Sequence, residues 1–193
     1  MHRVILRSLF ALALVASGTA SASGPVTVTI SPPPKSTDAE RGLIEVSFRN
    51  DGDTPIYMFE PATFAQAIFV NVLCIRDAHG GVAEHRINPG KIIASPDAFM
   101  SIDPHSEVHH TVDLDYIYAL PAGPVEITYT PQAFYDRRQG SDPEVEDPAA
   151  GKTTSNTLHV WINRNLLRPA SDHPYWGSEI SKNPACEPRA QPR

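Results

Sequence analysis

The sequence of 193 residues has only two cysteines, few basic side chains and no long apolar run. Its longest apolar stretch, Leu9 to Ala16, has about eight residues, whereas a transmembrane helix needs roughly 20. The motifs H-E-x-x-H and G-x-S-x-G are missing, so neither a metalloprotease helix nor a hydrolase nucleophile elbow is expected. We therefore expect a soluble chain with no catalytic function and no cofactor.

The first residues are typical of an export signal. Arg3 and Arg7 make the start basic, an apolar run follows, and Ala20-Ser21-Ala22 fits the small-residue pattern found at cleavage sites. We expect residues 1–22 to be removed as a signal peptide, which predicts a secreted or periplasmic protein with no membrane insertion after cleavage.

The chain that remains is acidic. Removing 22 residues from 193 leaves 171, which is enough for one domain with its own core. Without Arg3 and Arg7, 14 basic side chains remain against 22 acidic ones, so the net charge is −8. Nucleic acids and anionic membranes need clustered Lys and Arg, so neither is expected as a partner.

The two cysteines allow a single disulfide bridge. Cys74 lies in an apolar run, and Cys186 lies in a Pro-rich C-terminal segment. An exported protein can keep a bridge between them, which would hold that segment against the domain. Alternatively, Cys74 is a buried free thiol that packs as a small apolar side chain.

Short segments with alternating apolar and polar residues recur between turn-forming residues. This pattern predicts an all-β, immunoglobulin-like antiparallel β-sandwich of seven to eight strands over residues 23–162, followed by an irregular, Pro-rich C-terminal tail over residues 163–193. The predicted strands are Val26–Ser31, Leu43–Asn50, Ile56–Phe59, Ala67–Arg76, Val82–Ile87, Val108–Leu114, Val125–Tyr129 and Thr157–Ile162. A further short strand segment, Phe99–Ile102, is expected within a loop.

Three connections are expected to leave the regular pattern. Asn88 to Asp103 is predicted to be a surface loop around a short strand, and Pro131 to Lys152 an exposed, charged insertion. Pro121-Ala122-Gly123-Pro124 is predicted to be a tight corner before a strand. Helix is limited to a turn near residues 61–66 or 115–118. Tyr116 or Tyr118 either makes a tyrosine-corner hydrogen bond or simply packs.

Three histidines are the candidate metal ligands. His105, His109 and His110 could bind zinc, copper or nickel through imidazole nitrogens, which would make the chain a periplasmic metal-binding protein. Because neighbouring residues of a strand point to opposite faces, His109 and His110 need a bulge to share one ion. The other interpretation is one solvent-exposed histidine and one packed histidine.

Aromatic residues near the C-terminus are the candidate partner-binding residues. Tyr175 and Trp176 lie in the Pro-rich tail, where they either dock on their own domain or bind a partner. Trp161 alternates with Val160 and is predicted to lie on the outer face of the last strand, where an exposed ring would mark a contact patch.

Residues 26–162 resemble a known family in several ordered motifs. The segment from Leu43 to Tyr57, the apolar run and Asp-x-x-Gly turn from Ile68 to Val82, and the segment from Ser106 to Tyr129 carry the resemblance. They are similar to the N-terminal β-sandwich domain that precedes the catalytic domain of bacterial deuterolysin-type, peptidyl-Lys zinc metalloproteases. Small proteinase-inhibitor domains share the Asn-x-Gly-x-x-Pro turn.

The resemblance implies a binding function without catalysis. In that family the domain is a prosegment that covers the protease or helps it fold, and the zinc-binding domain has no counterpart in this chain. We therefore expect an exported protein-binding module that acts in trans on another protein, for which a secreted protease is the leading candidate. Its binding loops are predicted to be Asn88 to Asp103 and Pro131 to Lys152.

Overall fold

Short strands stacked in layers form the fold. A computed structural model describes residues 26–65, 70–87, 95–138, 149–169 and 186. Over these ranges the chain forms 13 strands and two short α-helices. The strands are β1 (Val26–Ser31), β2 (Leu43–Asn50), β3 (Ile56–Phe59), β4 (Leu73–Asp77), β5 (Glu84–His85), β6 (Phe99–Ile102), β7 (Glu107–Asp113), β8 (Tyr118–Ala119), β9 (Gly123–Tyr129), β10 (Ala133–Tyr135), β11 (Gly151–Lys152), β12 (Thr154–Ser155) and β13 (Thr157–Ile162). The helices are α1 (Ser36–Glu40) and α2 (Leu114–Ile117), and none among the described residues is long and apolar enough to cross a membrane.

The described strands pair into four sheets. Sheet 1 has the order β12-β1-β2-β7, sheet 2 has β11-β10-β3-β6, sheet 3 has β13-β9-β4, and sheet 4 is the pair β5-β8. Every pair is antiparallel except β1 with β12, which is parallel. The predicted all-β sandwich is therefore confirmed.

The core contains the inner faces of sheets 1 and 3, and Met58 and Phe134 of sheet 2 belong to the same buried cluster. In β1 the side chains of Val26, Val28 and Ile30 are buried, because every second residue of a strand points to the same face. The ring of Phe48 in sheet 1 packs edge-on against Tyr129 in sheet 3, with 5.5 Å between their centroids. Each fully buried side chain of this size contributes roughly 1.5–3 kcal/mol to stability.

The number of long strands agrees with the number predicted from the sequence. Eight of the described strands have four or more residues, as the prediction of seven to eight strands requires. The other five have two or three residues, too few for alternation to be visible. The strand predicted as Val108–Leu114 ends at Asp113, because Leu114 begins α2, where the Asp113 carboxylate accepts a hydrogen bond from the Tyr116 amide.

Two predicted segments differ from the structure. The prediction that residues 131–152 form only an exposed insertion is wrong in part, because β10 and β11 lie inside it and Phe134 is fully buried. Phe134 pairs with Met58 of β3, which extends sheet 2. Helix α1 was not predicted, since its five residues follow three prolines and carry no long apolar pattern.

The strands predicted at Ala67–Arg76 and Val82–Ile87 are shorter than expected. Residues 66–69 and 88–94 lie outside the described residues, and the described strands are β4 and β5 alone. The chain after β4 turns back at once: Val82 forms a bridge with Arg76, and the Ala83 amide donates to the Ile75 carbonyl at 2.9 Å. This return segment covers the free edge of β4.

A buried tyrosine connects sheet 4 to sheet 3. The Tyr118 hydroxyl accepts a hydrogen bond from the Leu73 amide at 3.3 Å and donates one to the Asn71 side-chain oxygen at 3.2 Å. Burial raises the pKa of Tyr118. This contact fixes the start of the corner at 121–124, which passes the chain from β8 to β9 through Gly123 at a φ of 101°.

Candidate protein-interaction surface

The outer face of sheet 3 carries a row of charged side chains. The register pairs Arg76 of β4 with Glu126 of β9, and Glu126 with His159 of β13. Glu126 and His159 are exposed and alternate with less exposed residues of β9 and β13, so they face away from the core. Arg76 is half-buried and is placed on the same face by its pairing with Glu126. The Glu126 carboxylate lies 3.6 Å from the His159 ring nitrogen, and both side chains are exposed. The row therefore places acidic and basic groups within reach of solvent.

Trp161 stands on the same outer face, next to this row. Trp161 is 61% exposed and lies opposite Pro124 across the β13–β9 pair. The prediction that Trp161 lies on the outer face is confirmed. The physical reason is the alternation in β13, in which Leu158 and Ile162 turn toward the core and Trp161 is left outside. A large exposed aromatic ring is the residue type most enriched among energetically important contacts in protein interfaces.

A turn after β4 forms one wall of a groove beside Trp161. The Asp77 carboxylate accepts hydrogen bonds from the Gly81 amide at 2.7 Å and the His79 amide at 2.8 Å. These two amides lower the pKa of Asp77, so its carboxylate is anionic at neutral pH. Gly80 takes a φ of 82° in this turn, with open space around its α-carbon.

The groove has a volume of about 560 Å³ and is open to solvent. We call it the Trp161 groove; its lining includes Arg76, Asp77, Gly80, Pro124, Glu126, His159 and Trp161. Volumes of this size suit part of a peptide or another compact group. The combination of an apolar ring and fixed charges suits recognition of another molecule.

The cysteines form the predicted bridge rather than leaving a free thiol. Cys74 of β4 is bonded to Cys186, with their α-carbons 4.8 Å apart, and both residues are buried. The Arg76 guanidinium donates a hydrogen bond to the Cys186 carbonyl. The bridge therefore attaches a residue of the C-terminal segment to the sheet that carries the Trp161 groove.

The three histidines proposed as metal ligands lie apart. His105 is exposed, with its ring nitrogen 3.0 Å from the Asp53 carboxylate. His109 pairs with Ser47 and His110 with Val46 across the β2–β7 ladder, so these neighbours point to opposite faces. Within the described ranges there is no group of three or more His, Cys, Asp or Glu side chains able to hold a metal ion. The metal-binding function stays a prediction.

His110 is the packed histidine of the set. Its ring lies 6.3 Å from the Phe48 ring, and its buried Nε2 atom has no hydrogen-bond partner among the described residues. Burial lowers the pKa of His110, and His109 lowers it further, while Glu60 acts in the opposite direction. His110 is therefore neutral at pH 7, half-buried at the margin of the core.

The remaining sequence-predicted contact residues fall largely outside this surface. Tyr175 and Trp176 lie outside the described residues. Of the two predicted binding loops, residues 88–94 and 139–148 also lie outside them. No described residue of either loop lines the Trp161 groove.

Sequence reasoning did not single out Arg76, Glu126 or the role of His159. Glu126 and His159 are single polar residues in alternating strands, which is the ordinary pattern of a solvent-exposed face, and Arg76 follows a run of buried residues in β4. Only the register of three strands that are distant in sequence brings them into one row. The sequence does carry a signal for one residue of this surface. The alternation of β13 predicts the outward position of Trp161.

No protein-family model matches the chain, and no curated protein sequence matches it either. The resemblance to the prosegment domain of zinc metalloproteases therefore remains a prediction. The arguments about function rest on the geometry described above.

Proposed function

We propose that this chain is an exported, non-catalytic protein-binding module that contacts its partner through the Trp161 groove. The observation that supports the proposal is the 61% exposure of Trp161 beside a groove of about 560 Å³. An aromatic anchor surrounded by polar and charged groups is the usual composition of an interface hot spot and its rim. The sandwich behind it is held by a disulfide and by a packed core, so the surface is rigid.

The bridge between Cys74 and Cys186 supports the export part of the proposal. Disulfides persist in oxidising compartments and are rare in reducing ones. The basic and apolar N-terminal residues support the same conclusion. We propose the periplasm or the extracellular medium as the place where the module acts.

A secreted protease is the proposed partner. The basis is the resemblance of residues 26–162 to a metalloprotease prosegment, and such a domain would act in trans as an inhibitor or as a folding helper. An inhibitor lowers the activity of the mature protease, whereas a folding helper raises the yield of active protease on refolding. The two roles therefore move protease activity in opposite directions.

The test is a binding experiment with matched variants. The mature chain is immobilised and exposed to the exported proteins of the cells that produce it, and protease activity is measured with and without the free chain. We expect the wild type and Thr157→Ala to retain the same partner, because Thr157 is exposed at the other end of β13. Trp161→Ala is expected to lose at least about 2 kcal/mol of binding free energy, or roughly thirtyfold in affinity.

Two outcomes count against the proposal. If Trp161→Ala retains the partner as well as the wild type does, the Trp161 groove is not the contact surface. If no exported protein is retained and no co-exported protease changes in activity, the protein-binding function itself fails.

A further inference from the structure

Strand β7 lies at the end of sheet 1, and its outer edge is uncovered by any other described strand. It pairs with β2 over its full length, and no other strand of the described chain lies on its other side. The seven residues from Glu107 to Asp113 contain no proline, lysine or glycine. Proline, lysine and bulges are the devices that commonly protect exposed edges from pairing with another chain.

The flanking hydrogen bonds show which backbone groups face outward. The Leu114 amide donates to the Gly42 carbonyl at 2.9 Å, and the Ser106 carbonyl accepts from the Asn50 amide at 3.0 Å. In an antiparallel pair, alternate residues direct both backbone groups to the same neighbour. The even-numbered positions of β7 therefore bond to β2, and the amides and carbonyls of Glu107, His109 and Thr111 point toward the open side.

The inner face of this edge is only partly covered. Val108 and His110 are half-buried, whereas Val112 is buried. Within the part of the chain that the structure describes, the buried Nε2 atom of His110 has no hydrogen-bond partner. A strand added beside β7 would cover the exposed parts of Val108 and His110 and would satisfy the backbone groups at the three outward positions.

We propose that the edge of β7 binds an extended peptide segment of a partner protein as an added strand. The segment has apolar side chains that cover Val108 and His110, alternating with basic side chains on the outer face. The outer face near this edge presents Glu107 and Glu45, the residue paired with Thr111. Arg49, which is paired with Glu107 on the same face, already forms an ion pair with Asp51 at 2.8 Å. The mature chain has 22 acidic against 14 basic side chains, which favours a basic segment.

Charge also argues against a second copy of this chain as the occupant. In a two-fold pairing of β7 with itself centred on His110, Glu107 of one copy lies opposite Asp113 of the other. Like charges placed directly opposite each other destabilise a strand pair. Two chains that each carry a net charge of −8 also repel each other.

The inference rests on the proposed function in protein binding, but not on the Trp161 groove. The probe is the acetylated peptide amide Lys-Val-Lys-Val-Lys-Val-Lys, and the readout is amide hydrogen exchange followed residue by residue by NMR. In the free mature chain we expect fast exchange at Glu107, His109 and Thr111 and slow exchange at the alternate positions of β7. Saturating peptide is expected to slow the first three amides by about tenfold or more.

A pair of substitutions separates backbone pairing from side-chain contact. Thr111→Pro removes one outward amide without touching the bonds to β2, and Thr111→Ala keeps that amide. We expect Thr111→Pro to weaken peptide binding about tenfold and Thr111→Ala to bind like the wild type. If Thr111→Pro does not fold, the same peptide with N-methylated alternate residues replaces it, and its failure to bind is the expected result.

The control variant Trp161→Ala distinguishes this inference from the proposed function. Unchanged peptide binding by Trp161→Ala shows that β7 acts independently of the groove. Equal binding of a Glu-Val peptide would overturn the basic partner, and exchange that slows with protein concentration instead of peptide would show a second copy as the occupant. Protection of the three outward amides in the free monomer, or equal binding by Thr111→Pro, would overturn the open edge itself.

Discussion

Strands β4 and β7 each lie at the end of a sheet, and they differ in what covers the outer edge of the strand. The edge of β4 is covered by the chain that follows it, through the Val82 bridge and the Ala83 amide, and it is also attached to Cys186 by a disulfide. The edge of β7 has no such cover among the described residues. The comparison teaches that one of these two sheet edges is closed by the chain that follows it, while the other retains backbone groups that no described strand pairs with.

The largest effect on stability is expected from removing the disulfide that attaches β4 to Cys186. Cys186→Ser removes the bridge across 112 residues, and losing a bridge of this kind typically costs about 2–5 kcal/mol of unfolding free energy. Urea unfolding of the oxidised wild type and the variant measures the difference. The reduced wild type is the control and should unfold like the variant. Equal stability of the oxidised wild type and the variant would mean that the bridge does not hold the β4 side closed.

The second prediction concerns His85, which lies in the segment that follows β4. His85 of β5 is 3% exposed and packs against Tyr118, with 5.1 Å between ring centroids. Burial lowers the pKa of His85 from 6.5 to about 4. His85 therefore takes up a proton near pH 6.5 in the unfolded chain but only near pH 4 in the folded chain. Protonation favours the unfolded chain between these values, so the free energy of unfolding falls as the pH drops through this window. Between pH 7 and pH 4.5 the loss is roughly 2–3 kcal/mol.

Urea unfolding at the two pH values checks this prediction in wild type, His85→Phe and His110→Phe. We expect His85→Phe to lose most of this part of the pH dependence. His110→Phe should change it less, because His110 is only half-buried at the open edge. A pH dependence that is the same in wild type and His85→Phe would contradict the assignment.

A smaller effect is expected where β7 meets the C-terminal segment. The Arg168 guanidinium pairs with Asp113 and lies 5.9 Å from the centre of the Tyr116 ring. The hydrogen bond to the Asp113 carboxylate raises the pKa of Arg168, so the guanidinium stays charged. Because the pair is partly exposed, Arg168→Ala should cost at most about 1 kcal/mol.

Salt separates the two contributions to this contact. The charge-dependent part of the Arg168→Ala effect should shrink in 1 M NaCl, while the part that comes from packing on Tyr116 should remain. Arg164→Ala is the matched control, because Arg164 is exposed in the neighbouring turn. Equal effects of the two substitutions would show that Arg168 does not anchor the end of β7.

The smallest effect on stability is expected at Trp161. Since most of its surface is already in water, Trp161→Ala should change the unfolding free energy by no more than about 0.5 kcal/mol. Thermal unfolding of the variant beside Thr157→Ala measures this. A loss above 1.5 kcal/mol would mean that the ring supports the sandwich, so that a loss of partner binding could no longer be assigned to the groove.

The long strands could be predicted from sequence because their signal is local. β1, β2, β3, β6 and β13 begin and end where alternation and turn residues place them. β10, β11 and β12 could not be predicted, since strands of two or three residues gain their stability from neighbours that are distant in sequence. Phe134 shows this: it is buried because Met58 pairs with it, although the surrounding segment is rich in charged residues.

Trp161 is the one residue of the candidate site whose position could be predicted from the sequence. The alternation of β13 places Trp161 outside, but the groove beside it depends on the register that aligns Arg76, Glu126 and His159. The histidine pattern likewise predicted opposite faces for His109 and His110 correctly, and could not show that His105 would lie beside Asp53. Such contacts depend on where two loops meet, which no local pattern specifies.

The amino-acid sequence by itself determined which side of each long strand faces the core, because a period of two is a property of neighbouring residues. It also supplied the two cysteines, without determining whether they would pair. Tertiary structure alone decided that Cys74 meets Cys186, that Trp161 stands beside a charged row, and that no described strand pairs with the outer edge of β7. These outcomes depend on strand order and register, which result from the packing energy of the whole chain.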